Sequence, residues 1–334
     1  MSRLFTLVFL LLQIAIQASA ADASSTIQFL QEWGGQGSAP GQLDAPVDIV
    51  ITPADEIFIT EHYNHRIQKF DTGGKFLSQF PVLSGPGGLA LDAAGNLYIS
   101  HFAAAAREKE DTIDCVSVYS PDGTLLRQWG KRGTGDGEFN CPGGLALSKD
   151  GRVYVADQTN HRVQVFDCDG NFLLKWGEYG NEPGQFGGKD RDYSRTGGPQ
   201  FVALDAEGNV WTTEGMNCRI QKFSRDGEYL ASWGDDKDAP GSFGGTFTGF
   251  KGTPVKLRGP LALKFDAQDN LWVSAVSGRI QQFNHDGAYI RGVVEGQGDT
   301  PSKFFAPHGI AFDSTGCLYV VDLYNHRIQK FALK

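Results

Sequence analysis

The sequence has no block of basic residues, no Asn-x-Ser/Thr sequon, no Gly-x-Ser-x-Gly and no metal-type spacing among its cysteines. Each absence removes a class of function. With Arg3 set aside, 29 basic face 39 acidic residues, and a chain of formal charge −10 with no basic stripe repels phosphate backbones. Nucleic acid is therefore not an expected partner. Without the nucleophile elbow, and with no Cys and His spaced as a dyad, no catalytic nucleophile stands out. The five cysteines are Cys115, Cys141, Cys168, Cys218 and Cys317; their odd number leaves at least one unpaired or bridging another chain. N-glycosylation is not expected, and no catalytic residue is assigned.

No stretch is long enough for a membrane span. Arg3, the apolar run from Leu4 to Ile16 and the small residues Ala18-Ser19-Ala20 have the layout of a secretory signal peptide over residues 1–20. The expectation is a secreted or periplasmic protein with residues 21–334 as a single domain and no span after cleavage. No Cys follows the cleavage point, so a lipid anchor there is not expected.

Glycine, in contrast, is abundant. Forty-three scattered Gly without a collagen period point to many tight turns, hence to an all-β chain. One phrase dominates: Phe58 to Phe70 (FITEHYNHRIQKF) returns as Tyr154 to Phe166, Trp211 to Phe223 and Tyr319 to Phe331. A shortened copy runs from Trp272 to Phe283, and a copy split by an insertion from Tyr98 to Tyr119. Each copy opens with a Pro-led apolar strand. Asp-Gly turns at Asp122-Gly123, Asp169-Gly170, Asp226-Gly227 and Asp286-Gly287 lead into a last strand ending near Trp-Gly. The opening prolines stand at 46, 86, 142, 199, 260 and 307. Four short strands repeated six times describe the blades of a six-bladed β-propeller, at about 44–80, 86–130, 142–177, 199–234, 260–294 and 307–334. The sixth copy stops without a fourth strand. Residues 27–34 match Phe172 to Gly177, so an N-terminal strand is expected to complete the last blade and close the ring.

With these motifs quoted, the chain resembles the NHL-repeat family over residues 27–334. The Asn-His-Leu of the family's name stands here as Asn64-His65-Arg66, Asn160-His161-Arg162 and Asn325-His326-Arg327. The resemblance implies the propeller fold; for function it is unspecific, since the family includes binding platforms and enzymes.

Among candidate residues, the repeated charges come first. Glu61, Asp157, Glu214 and Asp322 each precede an arginine (Arg66, Arg162, Arg219, Arg327) by five positions, so acid and Arg can meet across the end of a blade. A motif recurring around a ring reads as scaffold, and that reading covers His65, His161 and His326. Blade 2 has His101 and Cys115 at these two positions; blade 5 keeps Arg279 but has Ala275 for the acid.

The alternative is an enzyme. The resemblance extends to peptidyl-hydroxyglycine amidating lyases, similar propellers with a central zinc whose histidines follow the Pro opening an innermost strand. Only Pro307-His308 fits that pattern here; the equivalent positions are Val47, Gly87, Gly143, Gln200 and Leu261. One His and one Gln cannot hold zinc, so no metal ligand is assigned, and zinc or calcium enters only under this alternative. His308 is the leading polar group at the channel mouth, with a hydrogen-bonded structural role expected. Asp167-x-Asp169-Gly170-Asn171 reads as a hairpin turn rather than a calcium loop.

The departures from the repeat carry more functional signal. Excess residues fall at Phe102 to Asp114, Glu178 to Gly198 and Asp235 to Gly259, and blade topology sends all three to one face. They hold Arg107, Lys109, Lys189, Arg191, Tyr193, Arg195, Phe243, Phe247, Phe250 and Lys251, cations mixed with aromatics. The expectation is a monomeric binding module whose face takes a protein or carbohydrate-like ligand, with His308, Gln200, His101, Arg191, Tyr193, Arg195, Phe247, Phe250 and Lys251 as contacts. The runner-up is a metal-dependent lyase or hydrolase at the channel mouth.

Overall fold

The computed structural model describes residues 26–102, 113–187, 197–245 and 259–334. Among them six four-stranded antiparallel sheets form a six-bladed propeller. Blade 1 comprises Pro46–Ile51, Ile57–Glu61, Arg66–Phe70 and Phe76–Pro81, in that order from the channel outward. Blades 2 to 5 repeat this order from Pro86–Leu91, Pro142–Leu147, Pro199–Leu204 and Pro260–Phe265.

The burial of each strand follows from its place in a ring of stacked sheets. The second strands are buried at every residue, as in Val153–Asp157, and the third strands nearly so, as in Arg162–Phe166, because neighbouring blades cover both of their faces. The outer strand Phe172–Trp176 alternates between half-buried and exposed, since the ring widens there. The core is accordingly a set of aromatic and aliphatic clusters between blades. Trp211 is fully buried, with Trp233 edge-on at 4.6 Å and Phe265 at 5.4 Å. Such a side chain contributes on the order of 3 kcal/mol of burial.

Lower-face hairpins are fixed by one device. In the Asp167 turn, Oδ1 accepts the N–H groups of Asp169 and Asn171, both at 2.9 Å, while Oδ2 accepts the Asn171 side chain at 2.8 Å. This carboxylate serves the turn itself. Gly170 has φ +87° and a Cβ there would lie 2.7 Å from the Trp129 ring, so both its torsion and its neighbour demand glycine.

Blade 6 contains Pro307–Phe312, Leu318–Asp322 and Arg327–Leu333, and Ile27–Gly34 adds its outer strand. The register runs from Ile27 opposite Leu333 to Gly34 opposite Arg327, with an irregularity between Phe29 and Gln31. An ion pair of 2.8 Å between Arg327 and Glu32 fastens the two ends. No helix among the described residues is long and apolar enough to cross a membrane.

Candidate functional site: the upper face and the channel mouth

First strands start, second strands end and third strands start at one face, here called upper, where the links between blades also lie. The described ends of all three long segments leave from this face, at Phe102, Gly187 and Gly245.

Blade 3 shows what the repeated charges do there. Arg162 donates through Nε to Asp157 at 2.7 Å, and through its two terminal nitrogens to the Thr134, Gly135 and Glu138 carbonyls at 2.7–2.9 Å. Gln164 donates to the Glu138 carbonyl at 2.7 Å and accepts the Gly137 N–H at 3.0 Å. Asn160 donates to Asp157 and to the Gly133 carbonyl, at 2.8 and 2.9 Å. Acid, Asn, Arg and Gln thus clamp the link that enters their own blade. The same set recurs around Arg66, Arg219 and Arg327, with acid–Nε distances of 2.5, 2.5 and 2.8 Å. Blade 5 has a substitute: Arg279 meets the Asp238 carboxylate, which comes from the link rather than from a strand. Sequence reading took Ala275 as a lost acid; the acid has moved.

Burial raises the pKa of Asp157, Glu214 and Asp322 even though their hydrogen bonds pull the other way. The histidines of the same turns adopt φ of 50–55° and reach the link that leaves their blade. His65 Nδ1 accepts the Gly85 N–H at 3.0 Å and His326 Nδ1 the Ala45 N–H at 3.1 Å. His161 Nδ1 lies 3.1 Å from the Gly197 carbonyl, so it carries the proton.

At the channel mouth, two rings of residues converge. The inner ring is Val47, Gly87, Gly143, Gln200, Leu261 and His308; the outer is His62, Phe102, Gln158, Gly215, Val276 and Leu323. His62 meets Phe102 in a tilted ring contact at 4.7 Å, and its Nδ1 lies 3.2 Å from the Pro86 carbonyl. Phe201 closes the channel just below. Its ring occupies the space a Cβ on Gly144 would need, 2.3 Å away, and it meets the edge of His308 at 6.1 Å. It therefore spans from blade 4 to blades 3 and 6.

His308 differs from expectation. Its Nδ1 is buried with no hydrogen-bond partner, because an apolar plug, not a polar shell, surrounds it. Burial, with His62 adding to it, pushes its pKa down to about 4, so the ring is neutral. Gln200 is buried and donates to the Gly198 carbonyl at 3.3 Å. His101, expected at the ligand surface, has no exposed surface. One nitrogen lies 3.1 Å from the Ser84 carbonyl and the other 2.6 Å from Ser117 Oγ, and burial holds its pKa near 4. It fills the space where other blades keep acid, Arg and Gln. Arg191, Tyr193, Arg195, Phe247, Phe250 and Lys251 lie outside the described residues, as do Arg107, Lys109, Lys189 and the leader. Among the described residues no three His, Cys, Asp or Glu side chains are grouped to hold a metal ion. All five cysteines are free thiols, and burial foremost pushes the Cys115 pKa up to about 12.

Sequence reading missed an apolar strip along one side of the mouth. Leu261, Val276 and Ala306 pack with the half-buried Phe305 and Tyr324, and the half-buried Tyr63 follows in the next blade. The signal available was the pair of residues after each acid, His62-Tyr63 and Leu323-Tyr324, which differ from blade to blade.

A family model described as NHL repeat matches residues 43–70, 139–166 and 306–331, within blades 1, 3 and 6, and the chain carries NHL repeats. The chain is 24% identical to the E3 ubiquitin-protein ligase TRIM32 of Mus musculus, over 94% of this chain and 46% of that protein. It thus spans about half the length of the curated relatives it matches. Among solved structures it is similar to virginiamycin B lyase from Staphylococcus aureus, at TM-score 0.57 and 15% identity, covering 92% of this chain and 100% of that one. It is also similar to a Bacteroides thetaiotaomicron protein of unknown function, at TM-score 0.65 and 14% identity, covering 93% of this chain and 76% of that one. At these identities the likeness to solved structures shows the fold.

Proposed function

We propose that this NHL-repeat propeller is an exported binding module that holds a protein or carbohydrate-like ligand on its upper face, without chemistry. One observation carries the reading. The arginines and acids repeated on that face clamp links, and the side chains that give the face its apolar surface are the half-buried Tyr63, Met216, Phe305 and Tyr324. Aromatic and thioether surface on a rigid scaffold suits recognition more than proton transfer. NHL repeats commonly mediate protein interaction, which supports the same reading. A panel of immobilised peptides and glycans tests it. A ligand should be found that loses about tenfold or more in affinity with Tyr63→Ala and Met216→Ala, and nothing with Lys149→Ala on the lower face. A panel in which no member separates the two faces would sink the proposal. Export predicts that the protein recovered outside the cytoplasm begins at Ala21; an intact Met1 end would refute it.

The orphaned, neutral His308 Nδ1 favours a second reading, a metal-dependent lyase or hydrolase at the channel mouth. Elemental mass spectrometry after gentle chelation separates the two. About one equivalent of zinc or calcium, lost in His308→Ala, would establish the enzyme reading over the binding module.

A further inference from the structure

The channel has a second compartment, below Phe201. Its walls come from the lower halves of the six innermost strands; it opens to solvent and has a volume of about 210 Å³. The repeat makes these walls nearly uniform. At the fifth position of the strands stand Val50, Ala90, Ala146, Ala203, Lys264 and Ala311; at the third stand Asp48, Gly88, Gly144, Phe201, Ala262 and Gly309. Leaving His308 aside, Asp48 and Lys264 are the only charged residues in the six strands.

The two are not equivalent. Asp48 is satisfied by the scaffold: its carboxylate accepts the Ile49 N–H at 2.9 Å and the Leu89 N–H at 2.8 Å, tying blade 1 to blade 2. Lys264 makes no hydrogen bond or ion pair with any described residue and senses Asp48 only at a distance. Its side chain is solvent-accessible in the chamber, where the repeat elsewhere places alanine or valine. An ammonium at this position belongs to no clamp of the scaffold and is open to an anion that enters the chamber.

We propose that this lower chamber binds a small monocarboxylate, with the carboxylate on Lys264 Nζ and a short alkyl tail against Leu91, Leu147 and Leu204. The charge follows from the site: one ammonium, with Asp48 nearby, suits a single negative charge better than a phosphate dianion. No arginine fork and no second cation lines the chamber. The tail follows from the walls, which are leucine, alanine and phenylalanine at this depth. The volume equals that of about seven waters at ~30 Å³ each, enough for a carboxylate of a few carbons. This site stands apart from the upper-face reading, because Phe201 separates the two ends of the channel.

Calorimetric titration of butyrate into the purified protein tests it, at constant ionic strength, with inorganic phosphate as the comparison anion. Butyrate should saturate at one per chain and phosphate should not. Lys264→Met should weaken butyrate by at least about tenfold, the loss of one charge-assisted hydrogen bond, while Lys264→Arg retains it. Asp48→Asn should keep or tighten binding, since it removes a repelling charge. Should Lys264→Met fold poorly, Lys264→Gln carries the same expectation. Equal butyrate binding in wild type and both neutral variants overturns the proposal. So does wild-type protein that fails to saturate, or that prefers phosphate.

Discussion

Blades 1 and 2 are neighbours built on one plan, yet they hold their links in opposite ways. Blade 1 is entered by a long link whose carbonyls at Ser38, Ala39 and Gln42 all accept from Arg66, with Gln68, Asn64 and Glu61 completing the clamp. Blade 2 is entered by residues 82–85 alone. It has His101 for the acid, Cys115 for the arginine and Ser117 for the glutamine. This short link has no carbonyl row to clamp: within its own blade His101 meets the Ser84 carbonyl and Tyr119 accepts the Leu83 N–H, and His65 of blade 1 accepts the Gly85 N–H. The motif's purpose is thereby exposed: it satisfies the backbone of a long link, and it disappears as a set when the link shortens.

The comparison can be broken at its strongest point first. Arg162→Ala should cost about 3–5 kcal/mol, because it leaves a buried Asp157 and three carbonyls without their cation. Cys115→Ala, at the same register in blade 2, deprives no link carbonyl of a partner and should cost about 1–2 kcal/mol. Denaturant unfolding of both variants gives the contrast; equal losses would mean the arginine is not a clamp.

The two designs should also answer pH with opposite signs. His101 has a folded pKa near 4, below its unfolded value, so its stability is complete above about 6.5 and lost as pH falls towards 4. That window corresponds to about 3 kcal/mol at ~1.4 kcal/mol per unit. The raised carboxylates Asp157, Glu214 and Asp322 act the other way, favouring the fold below their unfolded pKa and costing stability as pH rises past it. Asp48, raised to about 7 chiefly by burial, has the same sign between about 4 and 7. His101→Gln should therefore flatten the acid side of a Tm-against-pH curve, with His308 supplying what acid sensitivity remains. An unchanged curve would show that His101 does not set it.

The smallest effect belongs to blade 5. Asp238 is largely exposed, and Arg279 retains the Ala239 and Gly244 carbonyls without it. Asp238→Ala should cost about 1 kcal/mol or less in thermal unfolding, and less at high salt. A loss as large as that of Arg162→Ala would make the relocated acid a full equivalent of Asp157.

Much of this was legible in sequence. The six prolines and the Arg-Ile/Val-Gln-x-Phe phrase located the innermost and third strands, because a closed ring imposes one packing problem six times. The closing strand at Ile27–Gly34 was readable because it copies the outer strands of other blades. The partner of each arginine was less visible. Its carbonyl acceptors carry no side-chain signature, although the link keeps a constant distance: Arg66, Arg162 and Arg327 reach carbonyls 24, 27 and 28 residues earlier. The burial of His101, the orphaned nitrogen of His308 and the plug formed by Phe201 were not legible. Each depends on side chains from several blades meeting at one point, and no local pattern encodes that meeting.

The closing strand has a consequence in time. Glu32 and Arg327 are separated by 295 positions yet share an ion pair, and the first described strand can pair only after the last has been made. Until then the blade-6 edge is open and the entropy of closing a loop of 295 positions is still to be lost. Five blades can assemble as the chain emerges, but the ring locks in one final step. The ring therefore stays open until the strand Arg327–Leu333 has been synthesised, and a single zipper of eight residues divides a string of blades from a sealed wheel.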